Sequence, residues 1–206
     1  MRNRFQFFQE VIIMKKRMIT LFLAGVMAAG LSTLAFAEAE TENTPDEVLE
    51  VTMDMMDPDL YDGTWVPFEA GFDLYLPTDW NVLEVSEENA ENGMIFMVSP
   101  QENAEKAEAA LSVQMNDATG AELADIAAGY EEVGFTGIGF INVNGIDCVI
   151  YDDEPDDLQG VSFLGESGTM YTIIMAPAES EEYSPIWNNI LFSLSPSEAE
   201  EEAATE

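Results

Sequence analysis

The chain has no histidine, one cysteine and only six lysines and arginines in its 206 residues. Without histidine there is no Ser-His-Asp or Cys-His nucleophilic machinery, and no zinc site of the usual His/Cys kind. A single cysteine cannot form an internal disulfide. Cys148 alternates with Ile146 and Ile150 along an apolar run and reads as a small buried hydrophobe. No glycine-rich phosphate loop occurs, and so few bases leave little to hold a phosphorylated cofactor. Five of the six bases, Arg2, Arg4, Lys15, Lys16 and Arg17, precede position 38, which leaves only Lys106 beyond it. Forty acids stand against that lysine, so residues 38–206 carry a formal charge of −39. Such a field repels nucleic acid, whose binding needs Lys or Arg to displace condensed counterions. It also opposes compaction, so the fold is expected to gain stability from salt or divalent cations.

What is present begins with a leader. Lys15, Lys16 and Arg17 form a basic n-region, an apolar h-region follows, and Ala35-Phe36-Ala37 makes an A-x-A cleavage site. The apolar run from Ile19 to Ala37 could almost span a bilayer. Its small residues, and the acidic stretch after Ala37 in place of a basic stop-transfer flank, favour cleavage instead. Residues 1–37 are therefore expected to be a secretion signal, with Met14 the start that gives an ordinary length and residues 1–13 an upstream artefact. No cysteine sits at the cleavage point to take a lipid. The expectation is a secreted or extracytoplasmic bacterial protein with no stable membrane insertion after signal cleavage.

The mature chain reads as an acidic lead-in with a short helix over 38–60, one folded domain over 61–196, and a disordered acidic tail over 197–206. Thr44-Pro45-Asp46-Glu47 is a capping box with proline at the first helical position, expected to open a helix through Val48, Leu49, Val51, Met53 and Met56. "GTWVPFEA" and "GFDLYLP" read as a hairpin broken at Ala70-Gly71, with Phe72, Leu74 and Leu76 on one face. "NVLEVS" and "GMIFMVS" are expected to pair. "ALSVQMN" alternates, which predicts Leu111, Val113 and Met115 inward and Ser112 and Gln114 outward.

Thr119 with Glu122 forms a second capping box before an apolar stripe of Leu123, Ile126, Ala127, Tyr130 and Val133, closed by Gly134. Hairpins are expected around Asn144-Gly145 and around Glu166-Ser167-Gly168. Ser184-Pro185 is expected to cap a last helix whose apolar positions are Ile186, Trp187, Ile190, Leu191 and Leu194. Hairpins mean an antiparallel sheet, and one-faced helices must lie against it. The fold class is α+β, a single-domain α/β/α sandwich around a central antiparallel sheet.

Only carboxylate chemistry survives these absences. A glycosidase needs two acids across a cleft, and with forty to choose from no pair can be singled out. Oxygen-ligand cation binding is the stronger alternative. "DPDLYDG" places Asp57, Asp59 and Asp62 before Gly63, although the third acid and the glycine fall one place late for an EF-hand and Phe68 stands where its glutamate belongs. "YDDEPDDLQG" crowds Asp152, Asp153, Glu154, Asp156 and Asp157, which repel one another unless solvated or bridged by a cation. These two loops are the candidate calcium sites, each weighed against an ordinary solvated turn.

"GFDLYLPTDW", followed by strand pairs, a capped helix, a hairpin-rich sheet and a last helix running into "NNILFSLSP", resembles the PsbP-like family over about residues 61–196. That family includes the PsbP protein of photosystem II and Mog-type proteins. The resemblance implies an α/β/α sandwich and a non-enzymatic role in binding or supporting a partner. No cofactor is expected except possible calcium, and the partner is expected to be a protein or ligand rather than nucleic acid. A calcium-binding or calcium-stabilised acidic module is the alternative.

Overall fold

Short alternating runs separated by glycine and proline turns fold into strands, because each run can bury one set of side chains while pairing its backbone. The computed structural model describes residues 48–103, 107–165 and 168–197. The expected signal peptide, the capping box at 44–47, the turn residues Glu166 and Ser167, and the acidic tail from Glu198 lie outside them. The strands are β1 (Leu49–Val51), β2 (Gly63–Phe68), β3 (Phe72–Pro77), β4 (Asn81–Val82), β5 (Met94–Ser99), β6 (Ala110–Asp117), β7 (Thr136–Val143), β8 (Ile146–Asp153), β9 (Leu158–Leu164), β10 (Thr169–Ala176) and β11 (Ser195–Pro196). The helices are α1 (Glu87–Glu91), α2 (Leu123–Val133) and α3 (Ser184–Ser193).

Eight strands form one sheet in the order β1-β7-β8-β9-β10-β6-β5-β4, and β11-β3-β2 form a second, smaller one. All neighbours pair antiparallel except β1, which joins β7 in parallel. On one face of the large sheet Leu111, Val113, Ile141, Val161 and Ile173 meet Phe72, Leu74 and Leu76 of the small sheet, Trp187 and Ile190 of α3, and Leu194 just after it. On the other face Val149, Tyr151 and Met170 meet Ile126, Ala127 and Tyr130 of α2. The small sheet and α3 share a layer: the Tyr75 N–H donates to Ser193 Oγ at 2.8 Å, and β11 continues the pairing along β3. The α+β sandwich is therefore realised as helix, sheet, then helix beside a small sheet.

The hairpins lie where turn chemistry puts them. Asn144 and Gly145 adopt φ of 49° and 92°, the left-handed pair that a tight two-residue turn requires. Gly134 closes α2 at φ 89°.

Four expectations need correction. The helix expected through Val48–Met56 is absent over its described part; β1 and a single 3-10 turn at Met53–Met55 stand there. Tertiary pairing overrides helix propensity here. Val51 is buried against the core, its carbonyl accepts the Asn144 N–H at 2.9 Å, and Asn144 Oδ1 accepts the Met53 N–H at 2.7 Å. β1 thus pairs into the large sheet although it precedes residue 61.

Second, α2 is capped by Glu122 reciprocally with Asp125. Thr119 instead donates to the Asp117 carboxylate from both its N–H and its hydroxyl. Third, the start of α3 is held by Ser180, whose carbonyl accepts the Ser184 N–H at 2.8 Å, rather than by a Ser184 side-chain cap. Fourth, Ser112 and Gln114 are buried and Met115 is exposed. The large sheet is covered on both faces near its middle, and Met115 lies beyond that cover.

Candidate functional site

The two acidic loops come to one pole of the sandwich. The registers Asp153↔Leu158, Ala176↔Ala110, Asn81↔Ser99 and Thr136↔Asp152 place those strand ends together. Asp62 belongs to the same end, since its carbonyl accepts both the N–H and the hydroxyl of Thr78 just past β3. Asp57 is fixed sideways onto α3: its N–H donates to Asn189 Oδ1 at 2.7 Å, and its carbonyl accepts from Asn189 Nδ2 at 3.3 Å. The Asp57 carboxylate accepts the Asp59 N–H at 3.0 Å, an ordinary turn contact.

In the second loop Asp157 stands at φ 51° and ties down the segment after β10, accepting the Ala178 N–H on its carbonyl and the Glu179 N–H on its carboxylate. Asp156 lies in the adjoining 3-10 turn, and Asp153 is buried at the end of β8. Asp152 accepts from Gln159 Nε2 at 3.3 Å. Burial first, then the charges of Glu154 and Glu179, push its carboxyl above the usual carboxylate range, against the opposing effect of the Gln159 hydrogen bond. Among the described residues no three His, Cys, Asp or Glu side chains are grouped so as to hold a metal ion. Asp62, Asp152, Asp153, Asp156 and Asp157 thus lie toward one pole, whereas Asp57 is held against α3 with Asp59 beside it.

Two buried groups are chemically quiet. Cys148 is 1% exposed, and burial with the nearby Asp147 charge pushes its thiol up to about 12, so almost no thiolate forms near neutrality. Beneath α2 the hydroxyls of Tyr130, Ser162 and Thr172 form a chain with O···O distances of 2.6 and 2.9 Å. Burial raises the Tyr130 phenol, and its hydrogen bonds partly offset that, so the chain stays neutral.

The outward face of the small sheet is different. Trp65 and Tyr75 are cross-strand partners on β2 and β3, with ring centroids 5.4 Å apart. Tyr61 stacks on the other side of Tyr75 at 5.7 Å and 23°. The Tyr61 hydroxyl donates to the Tyr75 carbonyl at 2.9 Å, and burial pushes it up to about 12. Tyr75 lies flat over Gly63, where an added Cβ would stand 2.4 Å from the ring, and its hydroxyl accepts the Gly63 N–H at 3.0 Å. This fixes a row of three rings ending in Trp65, which is 44% exposed. Reading the hairpin for its core side chains alone passes over this row. The signal was present: Trp65 and Tyr75 occupy the alternate positions where a solvent-facing hairpin carries polar residues.

No helix among the described residues is long and apolar enough to cross a membrane. No protein-family profile and no curated protein matches this chain. Among solved structures it is similar to cyanobacterial PsbP from Synechocystis, at 12% identity and a TM-score of 0.48 over 65% of this chain and 92% of that one. It is also similar to a protein of Bacteroides thetaiotaomicron, at 12% identity and a TM-score of 0.42 over 66% of this chain and 49% of that one. A Pseudomonas aeruginosa protein of unknown function follows at 20% identity and a TM-score of 0.32, over 65% and 96% of the two chains. At these identities the likenesses concern layout alone.

Proposed function

We propose that this chain is an exported, non-catalytic domain of PsbP-like layout that binds a protein partner or ligand at the bacterial envelope or outside the cell. The observation that carries the reading is the row Tyr61–Tyr75–Trp65, aromatic surface held rigid on a sheet face with its last ring in solvent. Exposed rings on a fixed scaffold are characteristic of interaction surfaces. The basic, apolar and A-x-A segments of residues 15–37 support export. Mass spectrometry of the chain from the producing cell tests it: the extracytoplasmic fraction should yield a form beginning at Glu38. A leader-bearing chain confined to the cytosol would overturn export.

A calcium-stabilised acidic module is the second reading, favoured by the shared pole of the two acidic loops and by the raised carboxyl of Asp152. Calorimetry with and without millimolar calcium, at matched ionic strength, decides it. A rise in Tm beyond the matched-salt control supports calcium; no such rise removes it.

A further inference from the structure

We infer that the Trp65–Tyr75–Tyr61 face is a docking site for an extended polypeptide segment bearing arginine or lysine. This rests on the binding reading above and gives its partner a chemistry. The first observation is the row of π faces, which attracts a guanidinium or ammonium group set over an aromatic ring.

The second is charge. Asp59 and Asp62 flank Tyr61 in the sequence, and Asp73 lies on the same face of β3 as Tyr75, two residues away. The described residues contain no lysine, arginine or histidine, so among them no basic side chain neutralises these acids. A cationic segment complements this surface, whereas a second copy of the same acidic unit is repelled by it.

The third is the open edge of β2. The Tyr75 N–H goes to Ser193 and its carbonyl accepts from Tyr61, so both main-chain groups of Tyr75 turn away from β2. Trp65, its antiparallel partner, must then direct its own N–H and C=O to the free side of the sheet. Pro67, two residues on, has no N–H to offer. A strand laid along this edge therefore pairs at Trp65, with its alternate side chains beside the rings. Aromatic face, anionic flank and a one-residue pairing point coincide there.

Isothermal titration of the full chain with an acetylated Arg-Thr alternating heptapeptide tests the inference. The control peptide carries citrulline, the neutral near-isostere, in place of each arginine. At about 0.15 M salt the arginine peptide should bind, the citrulline peptide should bind far more weakly, and Trp65→Ala should weaken arginine-peptide binding by about three- to tenfold. Trp65→Phe should fall between the two, with unchanged melting in both variants. Equal binding by Trp65→Ala, or equal binding of the citrulline peptide, overturns the inference. So does binding that appears only after Lys15, Lys16 and Arg17 are replaced by serine, because the chain's own basic segment would then be the occupant. Self-association on sedimentation that Trp65→Ala abolishes would assign the face to a second copy and also overturn it. Arginine-peptide binding indifferent to Trp65 removes this site but leaves the binding reading standing, whereas a chain found only in the cytosol removes export whatever Trp65 does.

Discussion

The two faces of the eight-stranded sheet are both buried, but by different chemistry. Toward α3 and the small sheet the face is apolar, from Leu111 and Val113 through Val161 and Ile173 to Ile141. Toward α2 the same central strands present Ser162, Thr172 and Gln114, which stand in register across β9, β10 and β6 and are all buried. Alternation along β6 thus marks a change in how burial is stabilised rather than a change from inside to outside. Both faces bury apolar side chains, and the face under α2 adds hydroxyls that satisfy one another.

The widest contrast is kinetic and lies on the apolar face. With its thiol pushed up to about 12, Cys148 should react with iodoacetamide at least about a thousandfold more slowly in the folded chain than in urea. Labelling at the unfolded rate in native buffer would show that this face opens freely. Next in size, Trp187→Ala should cost about 3–5 kcal/mol in urea denaturation, since the ring is 1% exposed and its indole N–H donates to the Pro177 carbonyl at 2.9 Å. On the polar face Ser162→Ala should cost about 1–3 kcal/mol, because it strands the hydroxyls of both Tyr130 and Thr172. Equal costs for these two variants would break the distinction between the faces.

The smallest effect has the opposite sign. Asp152 titrates higher in the fold than in the unfolded chain, so the stability it contributes is full at acid pH and is lost as pH rises through its folded value. Asp152→Asn keeps an acceptor for Gln159 and should be modestly more stable than wild type at neutral pH. That gap should close as the pH is lowered into the ordinary carboxylate range. A Tm difference that does not change with pH would remove the electrostatic cause.

Periodicity and turn chemistry made most of the fold legible. The Asn144-Gly145 turn, the stripe of α2 with its Gly134 stop, and the inward triplet Phe72, Leu74 and Leu76 all follow from local rules. Cys148 also lies buried in the apolar core, where its neighbours Ile146 and Ile150 pointed. What stayed hidden depends on partners distant in the chain. Leu49–Val51 looked helical because its strand partner, β7, lies more than 90 residues later. Ser112 and Gln114 looked exposed because their cover comes from outside their own strand. The aromatic row was hidden in a different way: Trp65 and Tyr75 are ordinary strand residues until Tyr61 and Gly63 fix which way their rings lie.

Asn144 joins several of these distant pieces. It takes the Met53 N–H on its side-chain oxygen and donates from Nδ2 to the carbonyls of Phe192 and Leu194, each at 2.8 Å. The first strand is therefore seated through a turn made midway along the chain and a helix made near its end. Closing loops of that length costs entropy that these contacts must repay. Asn144 is thus a clasp between three segments far apart in the chain, β1, the β7–β8 turn and the end of α3.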